Sequence, residues 1–358
     1  MKKWDVEKIN SFQKDLLSWY DAEKRDLPWR INNDPYRVWI SEIMLQQTQV
    51  VTVIDYFNRF MDLYPNIQTL ANAMDDQLLK VWEGLGYYSR ARNLKEAAIE
   101  IETNYNGIFP SNVEDISSLK GIGPYTTGAI ASISFNQPEP AIDGNLMRVF
   151  SRVFEIKDDI SKAKSRKTFD QVIRNVISHN EPGDFNQACM DLGASLCSPT
   201  SPQCNECPIN QYCASYKNNT MLNYPVKSKK IKQKQLYYYA YVYVNEDNDT
   251  YLTQREDNGL LASMWTFPMV EISKKQYEQS SDINEHQPKY VLDKASYFYL
   301  GEVSHIFSHL KWHVKVYVRT IKSNMIDGHG KWISKDDYKD NVFPKVQLKM
   351  FDLLNKAK

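Results

Sequence analysis

From the start of the chain to about residue 215, apolar residues recur at helical spacing between caps, glycines and prolines, and no stretch alternates convincingly with the two-residue period of a strand. That half is predicted to be all-α. One helix should begin at Asp34-Pro35, with Asp34 as cap and Pro35 in the first turn, and run through Trp39, Glu42 and Gln46 toward Phe60. Glu42 then lies one turn before Gln46. A second helical stretch, about Asp75 to Trp82, ends at Gly84-Leu-Gly-Tyr-Tyr, and a fresh helix starts at Ser89 and runs to Tyr105. Asn112 to Ser118 reads as a short helix, followed by the turn Leu119-Lys-Gly-Ile-Gly-Pro-Tyr-Thr and by an Ala- and Ile-rich helix over Thr126 to Ser134. Helix, hairpin and helix follow one another there.

Between Lys217 and Lys234 the pattern lapses into a polar segment with six lysines and no acid, read as an interdomain linker, with solubility alone as the other reading. Beyond it the rhythm changes. Leu236-Tyr-Tyr-Tyr-Ala-Tyr-Val-Tyr-Val, Tyr251-Leu-Thr-Gln and Trp312-His-Val-Lys-Val-Tyr-Val-Arg-Thr are β-rich, the last clearly alternating. The organisation expected is therefore a helical domain over 1–216, a basic linker over 217–234 and an α+β domain with a substantial sheet over 235–358.

A length of 358 residues suits two domains, and 42% hydrophobic with 25% charged residues is ordinary for a soluble protein. No apolar run approaches the ~20 residues of a membrane span, and Met1-Lys-Lys-Trp-Asp-Val-Glu-Lys lacks a secretory signal's apolar core, so no membrane association and a cytoplasmic address, nucleoid-associated in a bacterium, are expected. Lysine plus arginine equals aspartate plus glutamate at 44 each, so any surface for nucleic acid has to be local. Of five cysteines, Cys197, Cys204, Cys207 and Cys213 fall in one short stretch as Cys-x6-Cys-x2-Cys-x5-Cys; in a cytosolic chain that reads as a metal site, either zinc or iron-sulfur. Cys189 stands apart, as an inert buried thiol.

The turn Gly121-Ile-Gly123, with Pro124 opening a helix, lets backbone N–H groups converge beside a positive helix end, where a phosphate fits without its sequence being read. A plain Gly-Pro loop is the alternative. Twenty residues on, Asp143 precedes a helix over Leu146 to Phe154, which by itself is an N-cap. Hairpin and following aspartate together resemble the helix-hairpin-helix DNA glycosylase superfamily, in which that aspartate is catalytic. The cysteine spacing matches the [4Fe-4S] loop of its endonuclease III and MutY branches, which favours iron-sulfur over zinc.

Leu27-Pro-Trp-Arg30, Trp39-Ile-Ser-Glu42-Ile-Met-Leu-Gln-Gln-Thr-Gln49 and Gly84-Leu-Gly-Tyr-Tyr-Ser-Arg-Ala-Arg92 resemble the MutY family, which removes adenine opposite 8-oxoguanine; the resemblance spans nearly the whole chain. It implies Glu42 as general acid, Asp143 as an ionised carboxylate beside the sugar, and Asn145 supporting the water network. Gln47, Leu85 and Tyr87 would fill the gap left by an extruded base, Thr48 would touch the lesion base, and Arg25, Arg30, Gly121 and Gly123 would meet DNA. At Tyr125 the bifunctional relatives carry a Schiff-base lysine, so no strand-cleaving lyase step is expected; Tyr125 should instead hydrogen-bond Glu42 or Asp143. Lys120 should lie near a phosphate.

Gly259-Leu-Leu-Ala-Ser-Met-Trp-Thr-Phe-Pro268 resembles a Nudix fold, but Glu271-Ile-Ser-Lys-Lys-Gln-Tyr-Glu replaces the metal-binding Arg-Glu-x-x-Glu-Glu helix, so pyrophosphate hydrolysis should be lost. Phe307-Ser308-His309 matches the loop with which the family probes 8-oxoguanine; an ordinary strand turn is the alternative. His305, His309 and His313 are not read as one metal site, because on a strand a four-residue step covers about 13 Å at ~3.3 Å per residue. The partner expected is duplex DNA with adenine opposite 8-oxoguanine or guanine, bound by a monomer. Competing readings are an endonuclease III-like glycosylase/lyase, an iron-sulfur electron-transfer or DNA-binding protein, and a nucleotide pyrophosphatase.

Overall fold

The computed structural model describes residues 4–228, 233–257, 259–279, 282–292 and 294–356. It divides into two compact units, one made of Met1–Ala73 with Arg92–Lys229, the other of Met74–Ala91 with Lys230–Lys358. Among the described residues no helix is long and apolar enough to cross a membrane.

The first unit is helical. Phe12, Leu16 and Tyr20, one turn apart on the Val6–Glu23 helix, pack against Leu146, Val149 and Phe150 of the Gly144–Phe154 helix and Phe185 and Leu192 of the Pro182–Ala194 helix. Each such side chain stabilises the unit by roughly 1.5–3 kcal/mol through removal from water. The helix starts are fixed locally: Asp34 accepts from Tyr36 N with Pro35 in the first turn, Asn112 from Asp115 N, and Asp143 from Leu146 N.

The helix expected from Asp34 toward Phe60 is two helices, Pro35–Leu45 and Val50–Leu63. Gln46-Gln-Thr-Gln49 puts four polar residues in a row and so offers no side chain to the core. The chain turns there, with Gln47 in the left-handed region at φ 58° and Thr48 N bonded to Leu45 O, before Val53, Phe57 and Phe60 resume the buried stripe.

The segment expected as an interdomain linker is held in part to the first unit. Arg152 Nε donates to the carbonyls of Met221 and Tyr224, Ile160 N to Val226 O, and Ser228 to Asp159, so the first unit extends well past Lys217. A lack of acids in a segment says nothing about its main-chain carbonyls, and those are what Arg152 and Ile160 bind. Residues 229–232 of the segment lie outside the described residues.

The second unit holds a mixed sheet of β1 (Lys234–Val244), β2 (Thr250–Gln254), β3 (Trp265–Thr266), β4 (Met269–Ile272), β5 (Phe298–Ile306), β6 (Leu310–Thr320) and β7 (Lys331–Ile333), ordered β3-β2-β1-β6-β5, with β4 also on β1 and β7 on β2. β1 and β6 run parallel, with Leu236 beside Trp312 and Val244 beside Thr320. The alternation in β1 separates the two faces. Tyr239, Tyr241 and Tyr243 join Tyr251 in one cluster, whereas Ala240, Val242 and Val244 join Val314, Val316 and the Val346, Met350 and Leu354 side of the Lys345–Lys356 helix in the other. The segment after β4 forms a helix, Lys274–Gln279, whose Glu278 is paired with Lys274 rather than with further acids.

Candidate active site

Three helices of the first unit bring the two expected carboxylates to one pocket of about 600 Å³, a volume in the range of small-molecule sites. Glu42 opens the last turn of the Pro35–Leu45 helix and is 6% exposed; Asp143 caps the Gly144–Phe154 helix; Tyr125 lies in the first turn of the Pro124–Phe135 helix. Asn145, Arg25, Arg30 and Thr48 line the same pocket. Tyr125 OH donates to Glu42 Oε2 at 2.5 Å, and burial with the neighbouring Glu42 and Asp143 charges keeps its own proton firmly on.

The two carboxyls differ in how their charge is held. Burial pushes Glu42 up to about 7; the Tyr125 hydrogen bond and the Arg30 charge oppose that rise and the Asp143 charge adds to it. Burial also raises Asp143, but its anion accepts from Leu146 N at 2.7 Å and from Asn145 Nδ2 at 2.8 Å at a helix start, with Arg148 nearby. Glu42 is therefore poised to carry and release a proton near neutral pH, while Asp143, also raised by burial, has donors that oppose the rise by favouring its anion.

Two residues beside the pocket were not anticipated from the sequence. Asp191, on the Pro182–Ala194 helix and buried, accepts from Arg30 Nη1 at 2.7 Å and Nη2 at 3.1 Å and also from Arg25, so both arginines expected to meet DNA are committed to an ion pair. Arg148 Nη2 donates to Asn145 Oδ1 at 2.7 Å, and its Nε to Cys197 O at 2.8 Å, which ties the Asp143 cap to the cysteine loop. Arg148 could have been suspected, since it lies one turn after Asn145 on a capped helix. For Asp191 the pairing spans more than 160 residues, and nothing local announces it.

In the hairpin, the two glycines answer to different demands. Gly121 has φ +78°, and a Cβ there would sit 2.7 Å from Asn93 Cβ, so the fold itself requires glycine. Gly123 has an ordinary φ of −97°, and a Cβ there would meet nothing within 4 Å. Lys120 pairs with Glu96 at 3.4 Å on the surface. Gln47 is exposed and Thr48 half-buried.

Within the second unit Leu85 is buried, whereas Tyr87, at φ 48°, is 44% exposed and shares a hydrogen bond with Ser308. Phe307, Ser308 and His309 form the tight turn between β5 and β6. Phe307 folds back onto Trp312 at 4.9 Å, leaving Ser308 and His309 at the exposed tip. The hairpin also explains why the histidines share no ion: His313 lies opposite Ser304 and not opposite His305, so the two rings leave opposite faces, a better reason than distance along a strand.

Cys197, Cys204, Cys207 and Cys213 line one small, mostly apolar cavity, none disulfide-bonded, with the Arg152 guanidinium 3.2 Å from Cys197 Sγ. Among the described residues no three ligand side chains stand close enough to share a single ion, as a tetrahedral zinc with Zn–S near about 2.3 Å requires. Four thiols around a common cavity, with the Arg152 cation beside Cys197, are the donors present for a metal centre there. Cys189 is fully buried in the helical core, and burial raises its thiol.

Residues 40–175 match the model of the HhH-GPD superfamily of base excision DNA repair proteins, and residues 239–353 match a NUDIX domain model. A thermostable thymine-DNA glycosylase of known structure superimposes with a TM-score of 0.54 at 28% identity over 59% of this chain and 98% of its own. Endonuclease III, trapped as a covalent intermediate with DNA, does so with 0.52 at 20% identity over 61% and 99%, which speaks for the fold of the helical unit. The adenine DNA glycosylase of Rattus norvegicus is 34% identical over 97% of this chain and 78% of its own length. That of Buchnera aphidicola subsp. Baizongia pistaciae is 35% identical over 90% of both. With both domains, the carboxylate pair and likeness over nearly the full length, this chain belongs to the adenine DNA glycosylase family.

Proposed function

We propose that this protein hydrolyses the N-glycosidic bond of adenine mispaired with 8-oxoguanine or guanine in duplex DNA and leaves an abasic site. The observation that carries the proposal is the placement of two buried carboxyls in one pocket with different partners, Glu42 raised to about 7 and accepting from Tyr125 OH, and Asp143, also raised by burial, accepting from Leu146 N and Asn145 at a helix start.

Adenine in a duplex has to leave the stack to reach such a pocket, at a cost of a few kcal/mol. Gln47, exposed and with positive φ, is the group of the first unit offered to the vacated space. Neutral adenine leaves poorly. Protonated Glu42 donates to N7, while Tyr125 holds its other oxygen and fixes the carboxyl's orientation. Asp143, oriented by Leu146 N and Asn145, stabilises the positive charge developing at C1′ of the sugar, and water completes the hydrolysis. The open space at Gly123, beside the start of the Pro124–Phe135 helix, accommodates a backbone phosphate. Cys197, Cys204, Cys207 and Cys213 would hold a [4Fe-4S] cluster, whose contribution when bound is to cross-link the loop that Arg148 and Arg152 grip. Ser308, at the tip of the β5–β6 turn, is offered to the lesion base.

Tyr125 occupies the place where a lyase would need its amine, so turnover should stop at the abasic site. The test is adenine release from matched duplexes with 8-oxoguanine, guanine or thymine opposite, run beside borohydride trapping. Release ordered 8-oxoguanine, then guanine, with thymine inert and no trapped adduct, is expected. Equal release from all three would refute the mispair reading, and abundant adduct would favour the glycosylase/lyase.

A further inference from the structure

Among the described residues, Asp191 is the buried acid beside the pocket to which the glycosylase reaction gives no task. Its carboxylate is 5% exposed and gathers two guanidiniums from separate parts of the chain: Arg30, from the Pro28–Arg30 turn, by two hydrogen bonds at 2.7 and 3.1 Å, and Arg25, from the stretch after the first helix. Arg30 is nearly buried and lies over the Tyr20 ring at 5.6 Å, so it is held from two sides. Its guanidinium and Glu42 line the same pocket.

We propose that Asp191 is a positioning residue for the glycosylase reaction, fixing Arg30 in the pocket wall and cancelling its charge so that Glu42 keeps the proton it must donate. The proposal rests on the reading of Glu42 as general acid.

A bare guanidinium beside buried Glu42 would favour its carboxylate, the wrong form for an acid. Arg30 already draws Glu42 down despite its partner. Asp191 itself does not titrate in the working range: burial works to raise it, but Arg30 and Arg25 hold it below its ordinary value. The other groups facing Glu42 are Tyr125 from the Pro124–Phe135 helix and Asp143 from the Gly144–Phe154 helix. Asp184, from the same helix as Asp191, lines the pocket too. So do Asp21, Lys24 and Asp26, near the end of the first helix, where the charges are mixed. From the Val50–Leu63 helix the described lining includes Val50 and no charged group. Asp191 is thus the acid that bonds Arg30 directly.

The test is single-turnover adenine release by the full-length, cluster-loaded protein from about pH 5 to about pH 9, for wild type, Asp191→Asn and Arg30→Gln, with Glu42→Gln as control. Asp191→Asn keeps the shape and removes the charge, so its alkaline limb should move down by about one pH unit, with roughly a tenfold relative loss on the alkaline side. Arg30→Gln should move the limb up. A merely structural role would lower both rates without moving the limbs apart. Limbs that coincide with wild type, or that move the same way in both variants, overturn the proposal. Should Asp191→Asn fail to fold, an unmoved or lowered limb in Arg30→Gln overturns it alone. Adenine release by Glu42→Gln would refute the acid assignment instead, so the two failures are distinguishable.

Discussion

Holding Glu42 ready to donate costs the folded protein stability, and the cost can be measured. Its rise from an ordinary 4.5 to about 7 corresponds, at about 1.4 kcal/mol per unit, to about 3 kcal/mol. As pH climbs, the unfolded chain releases this proton first, near 4.5, while the folded chain retains it to about 7, so stability is full below the lower value and falls between the two. Above about 7 the penalty is complete. Glu42→Gln removes the charge, and the amide oxygen can still accept from Tyr125 OH, which now donates to Glu42 Oε2 at 2.5 Å. The variant should therefore be more stable than wild type by about 3 kcal/mol near pH 8, by less than about 1 kcal/mol near pH 5, and by almost nothing near pH 4. Urea unfolding of both proteins, following the helical transition at each pH, reads this directly. The same variant should bind the mispair and release essentially no adenine. A Glu42→Gln protein no more stable than wild type near pH 8, or an advantage that does not shrink as pH falls, would refute the argument that burial holds the proton on Glu42.

Gly121→Ala and Gly123→Ala should separate folding from binding. The first forces a Cβ to 2.7 Å from Asn93 Cβ at φ +78° and should lose about 1–3 kcal/mol in thermal or urea unfolding. The second meets no atom of the chain and should leave stability within about 0.5 kcal/mol while weakening duplex binding in a titration. Cys213→Ser should lower iron and sulfide content and the visible absorption of the purified protein together, and should loosen the loop that Arg148 and Arg152 bind, read as a lower unfolding midpoint. Full metal content in that variant would remove Cys213 from the ligand set.

Much of this protein was legible in its sequence because the signals are local. Asp34, Asn112 and Asp143 announce helix starts through contacts two or three residues away. The Tyr-x-Tyr-x-Tyr rhythm of β1 divides its faces within one strand, and the cysteine spacing marks a loop ligand set. Where local chemistry was ambiguous, the tertiary structure decided. Leu45 to Val50 reads as continuous helix until the absence of anything for four polar residues to bury breaks it. Arg25 and Arg30, expected to meet DNA, show no partner in the sequence, and Asp191, more than 160 residues away, pairs with both.

The same division runs through the site. Sequence alone determined which residue types stand at positions 42, 125 and 143, and hence which reaction the pocket could support. Only the fold determined that Tyr125 reaches Glu42 across 83 residues of chain, and that Glu42 is stripped of water while Asp143 keeps its donors. Caps and strand rhythm depend on backbone geometry over a few residues, whereas desolvation and Coulomb forces act through space, so the protonation state on which the chemistry turns exists only once distant segments have packed together.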